Sequence, residues 1–169
     1  MSPIAYRIIF TGAAAAGLSA PAVAGTVELT VAIPQLKVAE YHRPYVAIWL
    51  EQVGQPNIRT LAVWYDYDNR ENAGTKWLRD LRTWWRKGGR NAAKPADAVT
   101  GATRAPGVQK VRLDVGALKP GNYALVVEAA REEGGREQVT LPFNWNGKSA
   151  TASASGRTEL GAVKAVIKP

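Results

Sequence analysis

The sequence predicts a mainly β domain, a β-sandwich of immunoglobulin-like type with one amphipathic helix inserted between strands. Several short segments are rich in β-branched and aromatic residues, turn-forming residues separate them, and one stretch has apolar side chains at helical spacing. The chain has 169 residues, of which 46% are hydrophobic. It is therefore long enough for one domain with a substantial core and too short for two large domains.

The first 24 residues have the pattern of a secretory signal. Arg7 supplies the positive charge, an apolar run covers residues 8–18, and Ala22-Val23-Ala24 fits a small-x-small cleavage site. The apolar run is shorter than the ~20 residues of a transmembrane helix, which argues against an anchor. We expect a signal peptide at 1–24, a single domain at 25–169 and a periplasmic location, peripheral to the membrane at most.

Alternation of apolar and polar residues, or enrichment in β-branched and aromatic residues, predicts the strands. Pro34 ends the first one, and a connection rich in Ser, Ala and Gly precedes the last one. The predicted strands are 26–33, 45–51, 58–65, 108–115, 123–130, 136–143 and 158–167. Turn-forming residues predict hairpin-like joins at 54–57, 118–121 and 133–135.

The inserted helix is predicted between the third and fourth of these strands. Its apolar face consists of Trp77, Leu78, Leu81, Trp84 and Trp85. Thr75 is a candidate N-cap and Gly88-Gly89 a stop signal. The other side is basic and includes Lys76, Arg79, Arg82, Arg86, Lys87 and Arg90.

Composition excludes several classes of chemistry. There are no cysteines and one histidine, which rules out disulfides, iron–sulfur clusters, thiolate nucleophiles and a His/Cys zinc cluster. Lys and Arg total 22 against 14 Asp and Glu, a net charge of +8. This balance suits nucleic acid, an anionic membrane surface or an acidic partner, and export argues against nucleic acid. Any redox chemistry needs an organic cofactor.

Isolated polar residues give weaker signals, and we predict no catalytic residue and no metal site from them. His42 is open to a proton relay or haem ligation, although a structural hydrogen bond is favoured because no second His or Cys accompanies it. Asp66 and Asp68 resemble a loop cation site but lack the Gly and distal Glu of a calcium loop. The serines near 149–155 lie in a low-complexity connection without a nucleophile elbow.

The segment Asp97-Ala98-Val99-Thr100-Gly101-Ala102-Thr103 carries the sharpest signal. It resembles the acceptor motif of proteins with covalently bound FMN, in which a flavin transferase attaches FMN to the last threonine. The resemblance implies a phosphoester on Thr103, with Asp97, Thr100, Gly101 and Ala102 as the recognised context. The open alternative is a Thr/Gly turn after a helix.

A wider resemblance covers most of the chain, roughly residues 26–145. It rests on Tyr41-His42-Arg43-Pro44-Tyr45, on 47–50, on 61–65, on Lys76 to Leu81 with Trp84-Trp85, and on 128–137. These segments resemble a periplasmic family of unknown function that is similar to immunoglobulin-like domains and tends to occur with PepSY-type transmembrane proteins. The family implies a flavinylated electron carrier or reductase component rather than a stand-alone enzyme.

A flavin held by one phosphoester needs further contacts, because its reduction potential depends on stacking, hydrogen bonds and nearby charge. Trp84 or Trp85 is expected to stack on the isoalloxazine, and Arg86, Arg90 or Arg104 to pair with the phosphate or the reduced flavin. The alternative is that these tryptophans pack on the sheet. 

We thus expect an exported flavoprotein that transfers electrons between a membrane redox partner and a periplasmic acceptor. The alternative is a cofactor-free immunoglobulin-like binding module for an acidic partner, which would use the basic helix and exposed aromatic residues.

Overall fold

The computed structural model describes residues 21–68, 70–91 and 100–169, in which nine strands form two sheets. The strands are β1 Val23–Ile33, β2 Tyr45–Gln52, β3 Ile58–Trp64, β4 Thr100–Gly101, β5 Gly107–Leu118, β6 Gly121–Ala130, β7 Arg136–Trp145, β8 Ala150–Ser155 and β9 Ala162–Lys168. The four-stranded sheet has the order β5-β1-β9-β8, and the five-stranded sheet has the order β4-β3-β2-β6-β7. The pairings are antiparallel except for the short parallel pair of β3 and β4.

The predicted mainly β fold is confirmed, and six of the predicted strands appear with small differences in their ends. The seventh, predicted at 158–167, begins only at Ala162. Two expectations were wrong. The Ser/Ala-rich connection is itself strand β8, because alternate small residues such as Ala152 are buried while their neighbours face outward. The join at 118–121 is not a hairpin, since β5 pairs with β1 in one sheet and β6 pairs with β2 in the other.

The core lies between the two sheets, and alternate residues of strands such as β1, β2 and β9 point into it. In β2, Val46, Ile48 and Leu50 belong to the inter-sheet cluster, whereas Ala47 and Trp49 belong to a second cluster on the opposite face of the same sheet. A strand with both faces buried reads as a continuous apolar run, which is what the sequence has here. The five-stranded sheet therefore packs against the other sheet on one side and against the helical segment on the other.

The helical segment (70–89) covers the outer face of the five-stranded sheet. Instead of the predicted continuous α-helix, it consists of a 3-10 helix Arg70–Asp80, one α-turn Arg82–Trp84 and a π-turn Trp85–Gly89. Leu78, Leu81 and Trp84 are buried in the second cluster. Trp77 is 42% exposed, so it does not share the buried face as predicted, because the 3-10 helix has a different period from the α-helix.

A fully buried carboxylate attaches the helical segment to the sheet. Glu128 lies on β6 with 0% exposure, and it accepts hydrogen bonds from the backbone N–H groups of Thr83 (3.0 Å) and Trp84 (2.8 Å). Its Oε1 also lies 2.7 Å from Arg136 Nη1 on the neighbouring strand β7. The carboxylate thus satisfies helical N–H groups that would otherwise lack partners and is neutralised by Arg136.

Two more carboxylates fasten the loops at one end of the sandwich. Glu159, 4% exposed, pairs with Arg131 through two hydrogen bonds of 3.0 and 3.2 Å. Glu137 accepts backbone N–H groups of the β8–β9 turn at residues 157, 158 and 160. These contacts join the β6–β7 hairpin of one sheet to the turn of the other sheet.

Replacing the buried carboxylate with an amide, Glu128→Gln, is expected to lower the free energy of unfolding by about 3 kcal/mol. The neutral side chain loses the ion pair with Arg136 and presents an N–H donor where donors already converge. Urea unfolding measures the change. Glu28→Gln removes an exposed ion pair with Lys168 and is the matched control, for which we expect little change. Equal stability of Glu128→Gln and the wild type would contradict the role of Glu128.

The hydrogen bonds of Glu137 should contribute to the free energy of unfolding in a way that depends on pH. Burial raises the pKa of Glu137, but the backbone N–H groups of Thr158, Leu160 and Arg157 outweigh it, and the net pKa lies below the usual value of 4.5. Because the folded-state pKa is lowered, the contribution is present above pH 4.5 and is lost as the pH falls through the folded-state pKa. Thermal melts of Glu137→Gln should show a lower melting temperature than the wild type at pH 7 and a smaller difference at pH 3.

Candidate functional site

The described part of the predicted acceptor motif, residues 100–103 (the acceptor segment), lies at the side of the sandwich, where the chain passes from one sheet to the other. Thr100 and Gly101 form β4, which pairs in parallel with the end of β3, and Tyr65 N–H donates to the Gly101 carbonyl at 3.0 Å. Six residues after Gly101 the chain enters β5, the edge strand of the four-stranded sheet. Thr103 lies on this crossing, partly exposed, and Ala102 beside it is exposed.

Part of the predicted motif lies outside the described residues. Asp97, Ala98 and Val99 fall within 92–99, and only the strand pairing of Thr100 is described. The predicted signal sequence also lies mostly outside them. Strand β1 begins at Val23, so cleavage before Gly25 would remove two residues that pair with β5.

Arg104 and Trp64 form a wall beside Gly101, two residues before Thr103. The Arg104 guanidinium lies over the Trp64 ring, 5.2 Å from its centroid, and Arg104 is exposed. A Cβ at position 101 would lie 3.4 Å from Trp64 Cδ1 and 3.8 Å from Arg104 Nη2. A side chain at 101 would thus be in ordinary contact with this wall. The stacked guanidinium keeps N–H donors available for an oxyanion.

Three tyrosines lie at the end of β3, where the acceptor segment is hydrogen-bonded. The Tyr65 ring makes edge contacts with Tyr45 at 6.1 Å and with Tyr67 at 6.4 Å, and Tyr67 is 50% exposed. Burial raises the pKa of Tyr45 to about 12 and also raises that of Tyr65. Both phenols are therefore neutral near pH 7. Sequence reasoning missed Trp64 and these tyrosines as neighbours of the motif, because the parallel pairing of β4 with β3 brings them together.

Trp84 and Trp85 lie in the helical segment. Trp84 has no exposed surface, and its indole N–H donates to Thr60 Oγ1 at 2.9 Å. Trp85 is partly buried against the same cluster, with its ring 6.3 Å from that of Trp84. Trp64 belongs to the inter-sheet core, so Trp84 and Trp64 lie on opposite faces of the five-stranded sheet. Trp84 is therefore packed on the sheet, as expected if the tryptophan does not stack on a flavin.

The basic side chains of the helical segment differ in their partners. Arg86 Nε donates to the carbonyl of Arg82 at 3.2 Å, and Lys87 Nζ lies 2.6 Å from Glu51 Oε1. Arg90 is exposed at the end of the segment. Of the three predicted phosphate partners, Arg104 is next to Thr103 in the chain, whereas Arg86 lies in the helical segment and Arg90 directly follows it.

His42 lies among carboxylates. Its Nε2 is 3.3 Å from Glu40 Oε1 and its Nδ1 is 3.8 Å from Glu132 Oε2. Ligand atoms of Glu40, His42 and Glu133 lie within 4.8 Å of one another, with both glutamates exposed. Both ring nitrogens of His42 therefore face a carboxylate.

The fold and the crossing segment define a β-sandwich-like domain with a threonine at the junction of its two sheets. The chain belongs to the DUF2271 family, described as predicted periplasmic proteins, which matches residues 26–162. The predicted periplasmic location is confirmed by this description. Comparison with curated proteins and with solved structures found no match. Among the described residues, no helix is long and apolar enough to span a membrane.

The burial of Trp84 predicts a large difference between two tryptophans of the same segment. Trp84→Ala is expected to lower the free energy of unfolding by about 3–5 kcal/mol, because it empties a packed site and leaves Thr60 without its partner. Trp77→Ala, at a position 42% exposed, is the control and should cost below about 1 kcal/mol. Denaturant unfolding followed by circular dichroism measures both. Similar losses for the two variants would contradict the packing described here.

Proposed function

We propose that this protein is a periplasmic flavoprotein that carries FMN on Thr103 and transfers electrons between a membrane redox partner and a periplasmic acceptor. The single observation that carries the proposal is the complete acceptor motif ending at Thr103, on a segment that crosses an edge of the sandwich. A transferase needs an accessible hydroxyl on a backbone that it can approach closely, and an edge crossing with Gly101 and Ala102 offers both.

The residues around Thr103 fit a flavin phosphate. Arg104 is exposed and is held over Trp64, so its guanidinium can donate to phosphate oxygens without large reorganisation. The half-exposed ring of Tyr67, near the hydrogen bond between Tyr65 and Gly101, offers an aromatic contact for the isoalloxazine. These residues support the proposal better than Trp84, which has no free face.

The attachment step is a phosphoryl transfer from FAD. The Thr103 Oγ1–phosphorus bond forms and the bond between the two phosphates of FAD breaks. AMP leaves, and the hydroxyl proton passes to solvent through the flavin transferase. The product is a phosphoester between Thr103 and FMN. The attached flavin accepts electrons in pairs or singly, so it can connect a two-electron donor with a one-electron acceptor.

The resemblance to a family that occurs with PepSY-type membrane proteins supports a membrane-bound electron partner. We also infer that the sandwich is of immunoglobulin-like type. Its connectivity supports this, because β2, β6 and β7 have the order of strands C, F and G, and β1 pairs with β5 as B pairs with E. Strand β9 then occupies the position of strand A. The alternative, a cofactor-free module for an acidic partner, draws on the exposed basic residues.

Intact mass spectrometry of the exported protein, coexpressed with a flavin transferase, tests the attachment. The wild type should gain the mass of one FMN less water. Thr103→Ala should lose this modification completely and Thr103→Ser should retain it at least in part, because only the hydroxyl forms the new bond. Thr158→Ala, at an exposed position in the β8–β9 turn, is a control that keeps the modification.

An unmodified wild type beside an active transferase would contradict the proposal and favour the cofactor-free module. A flavin that stays attached in Thr103→Ala would contradict the choice of threonine.

A further inference from the structure

In the part of the chain that is described, the helical segment covers the outer face of the five-stranded sheet and leaves the outer face of the four-stranded sheet uncovered. The outward side chains of the four-stranded sheet are exposed or partly exposed along all four strands. They include Glu28, Thr30, Val108, Lys110, Arg112, Asp114, Thr151, Ser153, Lys164, Val166 and Lys168, and these residues define the cationic face. A shallow depression lined by Thr30, Lys110, Arg112 and Lys164 lies on it.

The positive charge of this face is only partly compensated. Glu28 Oε1 lies 2.8 Å from Lys168 Nζ, and this pair lowers the pKa of Glu28. Asp114 Oδ1 accepts the backbone N–H of Gly116 at 2.6 Å. Lys110 and Lys164 have no ion-pair partner among the described residues. Two ammonium groups are therefore free to bind an anion.

Strand register places these two lysines on either side of one hydroxyl residue. Thr30 of β1 is opposite Lys110 of β5 and also opposite Lys164 of β9. Neighbouring strands lie ~4.8 Å apart, so the two lysine Cα atoms are separated by about 10 Å. Lysine side chains reach over this distance and can converge on an oxyanion above Thr30. The strands hold the arrangement before any partner binds, which lowers the entropic cost of binding.

The composition of the face favours a protein segment over a lipid surface. Sites for anionic lipids contain about four to eight clustered Lys or Arg residues. This face has four, the low end of that range, and two carboxylates, Glu28 and Asp114, lie among them. Val108 is 64% exposed and Val166 is partly exposed, so apolar contacts are available beside the lysines. A peptide that carries both carboxylates and apolar side chains matches this mixture.

We propose that the cationic face of β5, β1 and β9 is a docking surface for an acidic segment of a partner protein, with Lys110 and Lys164 as the main carboxylate contacts. This site lies on the sheet opposite to the basic helical segment, and it does not depend on the presence of flavin.

A binding titration with a defined probe tests the proposal. The full chain is titrated with a fluorescein-labelled peptide of repeating Glu-Glu-Leu at about 50 mM salt, with a repeating Gln-Gln-Leu peptide as the neutral control. The double variant Lys110→Gln/Lys164→Gln removes two charges from the face and keeps the aliphatic stems. Lys119→Gln/Lys148→Gln removes two exposed charges elsewhere and is the matched control.

We expect the Glu-Glu-Leu peptide to bind at least about tenfold more weakly to Lys110→Gln/Lys164→Gln, and within about twofold of the wild type to the control variant. Equal losses in both variants would show a general charge effect and overturn the proposal. Absence of binding, or equal binding of the Gln-Gln-Leu peptide, would overturn it too. Binding to vesicles of phosphatidylglycerol that the acidic peptide does not displace would assign the face to a membrane instead.

Discussion

The buried carboxylate of Glu128 attaches the helical segment to the five-stranded sheet. It lies in an apolar face, where an unpaired charge would be strongly unfavourable, and it is satisfied by Arg136 and by the first N–H groups of the α-turn. Once the helical segment is docked there, Leu81 and Trp84 cover Trp49 and Val63. A charged group thus determines where an otherwise irregular helical segment binds.

This docking makes the two outer faces of the sandwich different. One sheet is covered by the helical segment, and the other presents a cationic surface of lysines, hydroxyl residues and valines. The chain passes between the sheets at residues 102–106, so Thr103 lies next to the edge strands β4 and β5. Because β5 begins at Gly107 and carries Lys110, a partner on the cationic face would lie beside the proposed flavin. The proposed FMN attachment at Thr103 and the proposed partner contact at Lys110 therefore lie in neighbouring parts of the edge that β5 forms.

Much of the fold was predictable because the strands alternate clearly. The hairpins β2–β3 and β6–β7 followed from turn residues and apolar patterns that agree with each other. The turn residues did not reveal that β5 and β6 belong to different sheets, because a Pro-Gly turn can occur both in a hairpin and in a connection between sheets. The irregular helical segment was also missed, since it is attached to the sheet by Glu128, a residue more than 40 positions away.

The candidate site was only partly predictable. The motif identified Thr103 and its neighbour Arg104, but local sequence gave no sign that Trp64 and Tyr65 would lie beside them. That proximity comes from the two-residue parallel pairing of β4 with β3, which has no periodic signature. Trp84 shows the converse, because helical spacing marked it correctly as one face of a helix but did not distinguish burial from cofactor contact.

Residue-level mapping of the flavin tests the central claim most directly. Trypsin should release residues 91–104 as one peptide, because proline follows Lys94 and blocks cleavage there. Tandem mass spectrometry of this peptide from the exported, flavin-containing protein separates Thr100 from Thr103. The account predicts that every fragment containing Thr103 carries FMN and that fragments ending before it do not. Flavin on Thr100, or on a different peptide, would contradict it.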